Sequence, residues 1–128
     1  MAKRIREKAE FRRENKDQRP MAKVKYVRMS PSKVRIVLDT VRGKNVDDAL
    51  AILENSTTSA AEVCLKLLKS AIANGENNKG LLRGNMYVAE AWASDGPTLK
   101  RLDIRARGRA NRLLKRTCHI TMILGNRE

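Results

Sequence analysis

Spaced along the chain, the apolar residues mark three helix-like stretches framed by strand-like ones. Residues 22–29, Ala-Lys-Val-Lys-Tyr-Val-Arg-Met, alternate in part between apolar and basic positions and predict a strand. Val24, Tyr26 and Arg28 fall on one face of it, and Lys23, Lys25, Val27 and Met29 on the other. Ser30-Pro31 predicts a helix start, because serine can cap and proline suits the first helical position, where its missing N–H has no partner to lose. Val34, Val37, Leu38 and Val41 then recur at i, i+3, i+4, i+7, with Gly43 as a natural C-terminal cap. Asn45 predicts the cap of a second, short helix. Asp47 and Asp48 sit in its dipole-favoured first turn, and Ala49, Leu50, Ile52 and Leu53 form its buried face. The third and longest helix starts with the capping-box pattern Ser59-Ala-Ala-Glu62. Ala61, Cys64, Leu65, Leu68, Ala71 and Ile72 run down one side of it. Gly75 weakens its last turn, and Asn77, Asn78 and Gly80 end it.

Residues 86–94 and 118–124 predict two more strands, the second with Ile120, Met122 and Leu124 on one face. The stretch between them is long for a loop in a compact domain. If both strands continue into it, they form a two-stranded ribbon whose arms, of roughly nine residues each, reach about 30 Å. A helix from Ala110 to Arg116, with Leu113 and Leu114 as its apolar side, is the local alternative. Residues 1–20 show no apolar stripe: Ile5, Ala9 and Phe11 cannot cover a helix face, and the Lys8/Arg12 pair repels. They are expected to form a basic, disordered extension that orders on a partner, with Arg19-Pro20 ending any helix. Residues 21–128 are expected to form a single α+β domain that includes an extended hairpin at about 95–117.

Charge separates these segments further. Of 28 Lys and Arg against 14 Asp and Glu, residues 97–116 hold 8 basic side chains and one acidic one, whereas residues 21–96 hold 11 and 8. Half of the net +14 therefore lies in the expected ribbon, six of whose eight basic residues are arginine. Arginine donates to phosphate in a planar fork and stacks on bases. Arg105, Arg107 and Arg109, spaced by two, would line one face of an extended chain about 7 Å apart, and Gly108 allows close approach or a positive φ. Such a charge attracts polyanions, and the ribbon's self-repulsion makes its order depend on one.

Other chemistries find little footing. No Gly-rich phosphate loop, HExxH, GxSxG or paired-carboxylate arrangement is present, so no enzyme is indicated. Cys64, Cys118 and the single His119 are too few soft ligands for a zinc site, and the two cysteines read as small buried hydrophobes. Cys118 and His119, adjacent in a strand, point to opposite faces and make no thiolate–imidazole pair. With aromatics at 3%, a base-stacking sheet is not expected and the core must be aliphatic. No apolar run approaches the roughly 20 residues of a membrane span. Glu7, Glu10, Glu14 and Asp17 set residues 1–20 apart from an acid-poor transit peptide, so the cytosol is the expected compartment. The rival classes are a nucleoid-type DNA architectural protein, an RNA-modifying or nuclease subunit, and a membrane-surface binder. The last needs an apolar face with Trp or Phe that the chain lacks.

Lys33-Val-Arg35, Arg42-Gly-Lys44, Ser70-Ala-Ile-Ala-Asn74, Gly96-Pro97, Arg105-Ala-Arg107-Gly108-Arg109-Ala110, Lys115-Arg116-Thr117 and His119-Ile120-Thr121 occur in one order. Over about residues 22–124 this set resembles the bacterial large-subunit ribosomal protein L twenty-two family. The resemblance implies three helices packed on a small three-stranded antiparallel sheet, with a long basic β-hairpin. It implies a structural rRNA-binding role without cofactor or metal. The globular part would lie near the peptide exit, and the hairpin would line the nascent-peptide tunnel and join several rRNA domains. Implied partners are large-subunit rRNA, neighbouring ribosomal proteins and the nascent peptide, at one copy per cytoplasmic ribosome, with no membrane and no DNA. The expected rRNA-binding residues are Lys23, Lys25, Arg28, Lys33, Arg35, Arg42, Lys44, Lys100, Arg101, Arg105, Arg107, Arg109, Arg112, Lys115, Arg116 and His119. The expected tunnel positions are Leu99, Lys100 and Arg101, which match the family's macrolide-response positions, with Arg105, Arg107, Gly108 and Arg109 around the tip. Three features depart from the family pattern: the extension 1–20, the helix end Asn74-Gly75-Glu76-Asn77-Asn78, and Asp103-Ile104 where a proline is common.

Overall fold

The most apolar of the expected strands lies at the centre of the molecule. In a computed structural model, which describes residues 2–127, β1 (Met21–Val27) and β2 (Met86–Asp95) pair antiparallel with the two sides of β5 (Cys118–Asn126). Met1 and Glu128, which open and close the two expected segments, lie outside the described residues. Alternation explains which face is buried: Ile120, Met122 and Leu124 of β5 join Ala22 of β1 and Val88, Ala91 and Ala93 of β2 in the core. Three helices cover that face, α2 (Pro31–Val41), α3 (Val46–Asn55) and α4 (Ser59–Lys79). They contribute Val34, Leu38, Val41, Leu53, Cys64 and Leu68, all essentially inaccessible. The fold is α+β, with helices on one side of an antiparallel sheet.

Among the described residues four α-helices are present where three were expected. The additional one is α1 (Ala2–Glu14), in the segment expected to be a disordered tail. From Lys3 to Glu14 only Ala9 is even half-buried, so α1 gains nothing from packing on the sheet layer. It is joined to that layer through an anchored linker. Pro20 is buried and its carbonyl accepts from the Leu124 amide at 2.8 Å. The Arg19 guanidinium donates to Asp17 at 2.6 Å and to Glu90 on β2 at 2.7 Å, and Lys79 reaches Gln18 at 3.0 Å. Hydrogen bonds from Arg19 hold the Asp17 carboxyl at about 2, below its ordinary 3.8. Any stability from this clamp is thus present above pH 3.8 and is lost as pH falls through about 2.

The expected faces of the first strand need correction. Tyr26 has φ of +58°, and the β1–β5 register shifts between Val24 and Val27. This bulge breaks the alternation, so Val24, Val27 and Met29 pack toward the core while Tyr26 is exposed. None of the expected N-caps forms through its side chain. Ser30 pairs with the Ser32 hydroxyl, Asn45 makes no capping bond, and α4 is preceded by Thr58, so Ser59 is its first helical residue. At the other end α4 continues past Gly75 to Lys79 and closes on Gly80 at φ +64°. Gly75 is there for space: a Cβ would lie 2.7 Å from Met86 Sδ and 3.4 Å from Pro20.

Both cysteines are buried and unpaired by disulfide. Burial, with a smaller contribution from Cys118, pushes the Cys64 thiol up to about 12, and burial also raises Cys118. Thiolate is the reactive form. Iodoacetamide at mildly alkaline pH should therefore leave the folded protein unmodified and label both cysteines after denaturation. Labelling of the folded chain at a free-thiol rate would contradict the packing described.

Candidate nucleic-acid interface

Beyond the sheet, the ladder between β2 and β5 continues outward. The last pair of the body is Asp95↔Cys118, and Gly96 N–H then donates to Thr117 O at 2.9 Å. β3 (Leu99–Ile104) and β4 (Ala110–Lys115) carry on as an antiparallel pair, from Leu99↔Lys115 to Ile104↔Ala110. The helix considered for Ala110 to Arg116 does not form. Each residue of Ala110–Lys115 instead has a partner across the ribbon, and none is buried, so an isolated helix would have no face to pack. From Gly96 to the tip each arm is about 30 Å long at roughly 3.3 Å per residue.

The base of this hairpin is fastened from several directions. Thr117 Oγ1 donates to Pro97 O at 2.6 Å, and at Gly96 a Cβ would lie 2.5 Å from that hydroxyl oxygen, so the crossing admits only glycine. The Arg28 guanidinium donates to the Arg116 carbonyl, tying the end of β1 to the outgoing arm. His119 Nδ1 accepts from the Tyr26 amide at 2.9 Å, and the two rings meet edge-on at 4.8 Å. His119 is thus the fastening that holds the β1 bulge, while Cys118 beside it points into the core, as opposite strand faces require.

At the far end Arg105 N–H donates to Arg109 O at 2.7 Å and closes a tight turn. Arg107 sits at φ +57° and Gly108 at φ +69°. Arg105, Arg107 and Arg109 therefore do not run along one face of an extended chain, as their spacing alone suggested. They surround a turn, with Arg105 also 2.9 Å from Asp103. Residues directly opposite on an antiparallel ribbon share a face. One face carries Leu99, Arg101, Asp103, Asn111, Leu113 and Lys115, and the other Lys100, Leu102, Ile104, Ala110, Arg112 and Leu114. The sequence reading passed over Leu102 and Ile104, which are 71% and 84% exposed on this second face. Their spacing of two in Arg-Leu-Asp-Ile was the available signal.

The remaining expected contact residues divide by place. Arg28 and Lys33 line an open groove of about 700 Å³ between the β1–α2 turn and the start of α4, near the hairpin base. Lys23 and Lys25 lie exposed on β1, and Lys44 lies at the opposite end of the sheet, where its carbonyl accepts from Val88 N–H. Arg35 and Arg42 already have partners. Arg42 donates to Ala91 O at 2.6 Å and pairs with Asp39, and Arg35 donates to Ala93 O at 3.1 Å and lies 3.7 Å from Asp95. β2 is an edge strand, and these two arginines, one in α2 and one at its C-cap, cover carbonyls of its open edge. The structure thus brings Lys100, Arg101, Arg105, Arg107, Arg109, Arg112, Lys115 and Arg116 together on one projecting element, with Arg28 and His119 at its root. It leaves Lys23, Lys25 and Lys44 on the body.

The electrostatics of that element are one-sided. Asp103 is the only carboxylate among eight cations, and every cationic side chain on it is exposed. No packed core lies under it. The arrangement can present guanidinium forks to phosphates on both faces and apolar side chains to unstacked bases.

The family model described as ribosomal protein L22p/L17e matches residues 22–125. The chain is similar to the large ribosomal subunit protein uL22 of Clostridium novyi, at 58% identity over 103 residues, covering 80% of this chain and 93% of that protein. It is similar to the protein of the same name from Acetivibrio thermocellus, at 55% over 105 residues, covering 82% and 84%. The one from Thermoanaerobacter sp. shares 54% over 104 residues, covering 81% and 94%.

Proposed function

The chain belongs to the ribosomal protein L22p/L17e family, and from that membership we propose that it is a structural rRNA-binding component of the large ribosomal subunit. The sheet-and-helix body sits at the subunit surface near the peptide exit. The hairpin runs inward, lines the nascent-peptide tunnel and joins separate rRNA segments during assembly. One copy serves each ribosome, beside neighbouring large-subunit proteins, in the cytoplasm. The observation that carries this reading is the continuous ribbon from Asp95↔Cys118 to the Arg105–Arg109 turn, which projects eight cations with no core beneath them.

Affinity comes mainly from phosphates. Releasing the counterions of roughly 6–10 phosphates makes binding fall by about 10³–10⁵ between 50 and 200 mM salt. Selectivity comes from shape, because the deep, narrow major groove of A-form RNA is closed to side chains. The tip arginines, fanned around a turn, suit a junction where several backbones converge better than a single straight helix. Leu102, Ile104 and Leu114 on one ribbon face suit splayed bases. Leu99, Lys100 and Arg101, with the tip, are the positions assigned to the tunnel wall.

The stapling role is tested by replacing residues 99–115 with an Asn-Gly turn, which suits a two-residue hairpin. The body should keep its circular dichroism and melting temperature, because the β2–β5 ladder ends at Asp95↔Cys118. Cells dependent on this variant should accumulate incomplete large-subunit particles. Normal amounts of mature subunits would contradict the joining of rRNA segments by the hairpin.

A further inference from the structure

The family match begins at residue 22, so α1 lies outside it. The same helix is the part of the molecule least explained by its own packing. A helix of this length is marginal in water unless something supports it. α1 buries no face on the body, yet the linker that carries it is held by Arg19, Gln18 and Pro20. Its base is therefore fixed while its surface is free.

The charges on that surface are sorted. Arg4, Lys8 and Arg12 recur every fourth residue and stack into one ridge, spanning about 12 Å along the axis. Glu10 and Glu14 occupy a different face, while Glu7, three residues from Arg4 and four from Phe11, lies at the edge of the ridge in the same shallow groove. Among the described residues, no carboxylate lies within ion-pair distance of the three ridge cations. Like charges four apart oppose the helix in isolation. Phe11, 66% exposed, borders the ridge. A ridge of three cations with one aromatic beside it, and Glu7 as the single acid at its edge, complements a phosphate backbone with an accessible base, and Glu10 and Glu14 turn away from such a partner.

The place of attachment adds to this. β1 meets β5 as Met21↔Ile123 at the α1 end and as Val27↔Cys118 at the hairpin end. The two basic arms thus leave opposite ends of the sheet.

We propose that α1 is a second RNA-binding element, which docks its Arg4–Lys8–Arg12 ridge and Phe11 onto an RNA segment distinct from the one held by the hairpin. It rests on the rRNA-binding reading above and extends it to a part of the chain that the family match does not cover.

The test compares two triple variants of the full chain on transcribed large-subunit rRNA. R4Q/K8Q/R12Q removes the ridge, and K3Q/R6Q/R13Q removes the same three charges from other faces. Glutamine keeps helix propensity close to that of the residues it replaces, which circular dichroism checks. The ridge variant should bind at least tenfold more weakly, with a salt dependence reduced by about 2–3 in log–log slope, and should lose backbone protection at one set of nucleotides. The other triple should lose less than about threefold, a change under 1 kcal/mol. Equal losses in the two would reduce α1 to diffuse charge and overturn the proposal. So would an unchanged footprint in the ridge variant, including the case where α1 is found seated on a neighbouring protein. A hairpin variant run alongside separates the failures: if it too binds normally, the rRNA-binding reading itself falls. If it alone is weakened, only the role of α1 does.

Discussion

Replacing Arg101, Arg105, Arg107, Arg109 and Arg112 together by glutamine should weaken binding to large-subunit rRNA by on the order of 10²–10³ at physiological salt, with the log–log salt slope reduced by about 4. The melting temperature should barely move. Both halves follow from one feature: these side chains are exposed and rest on no core. Among the described residues their side chains have only weak partners, Arg105 with Asp103 and Arg101 with the carbonyl of Lys100. Exposed ion pairs of that kind contribute roughly 0–1 kcal/mol. In the protein alone, removing the arginines relieves repulsion along the ribbon; in the complex, it removes phosphate partners. Filter binding across a salt series, with thermal melts of the same samples, checks both. A variant that binds normally with an unchanged salt slope would place the RNA contacts elsewhere.

The second large effect lies in the body. Leu68 is fully buried at the middle of α4, in one core cluster with Leu38, Leu53, Ile120 and Met122. Leu68→Ala should cost about 3 kcal/mol, the sum of lost transfer energy and an unfilled cavity. Since a 1 kcal/mol loss lowers the midpoint by about 3–5 °C in a domain of this size, the melting temperature should fall by roughly 9–15 °C. Leu102→Ala, on the exposed hairpin face, should change it by less than about 2 °C. The RNA-binding variant and the core variant therefore separate function from stability in opposite directions. Equal destabilisation by Leu68→Ala and Leu102→Ala would mean that the ribbon is packed, contrary to its exposure.

Much of the body was legible because its periodicities are long and clean. The α2 stripe of Val34, Val37, Leu38 and Val41 is buried as spaced, and β5 carries Ile120, Met122 and Leu124 into the core. The ribbon was legible from charge and from its place between two strands. What failed was local. A single left-handed residue, Tyr26, reverses the faces of β1 after Val24, and alternation alone cannot reveal a bulge. Serine and asparagine marked the helix starts correctly in position, but their side chains cap nothing. The spacing of Arg105, Arg107 and Arg109 suggested an extended face because nothing in it signals a left-handed Arg107. That Arg35 and Arg42 also cover the β2 edge was not legible, because it depends on where α2 lies across the sheet, a non-local fact. The apolar pattern does not mark α1, because α1 packs no apolar face on the body.

Residence in the large ribosomal subunit is read out by sedimentation. A tagged copy of the chain, expressed in place of the untagged protein, is followed through a sucrose gradient after a moderate-salt wash of the lysate. Comigration with the large subunit at about one copy per particle is the expected result, since counterion release from roughly 6–10 phosphates holds the protein firmly at such salt only on its full site. Distribution among free, DNA-bound and light fractions would contradict the account and leave a nonspecific polyanion binder as the explanation of the +14 charge.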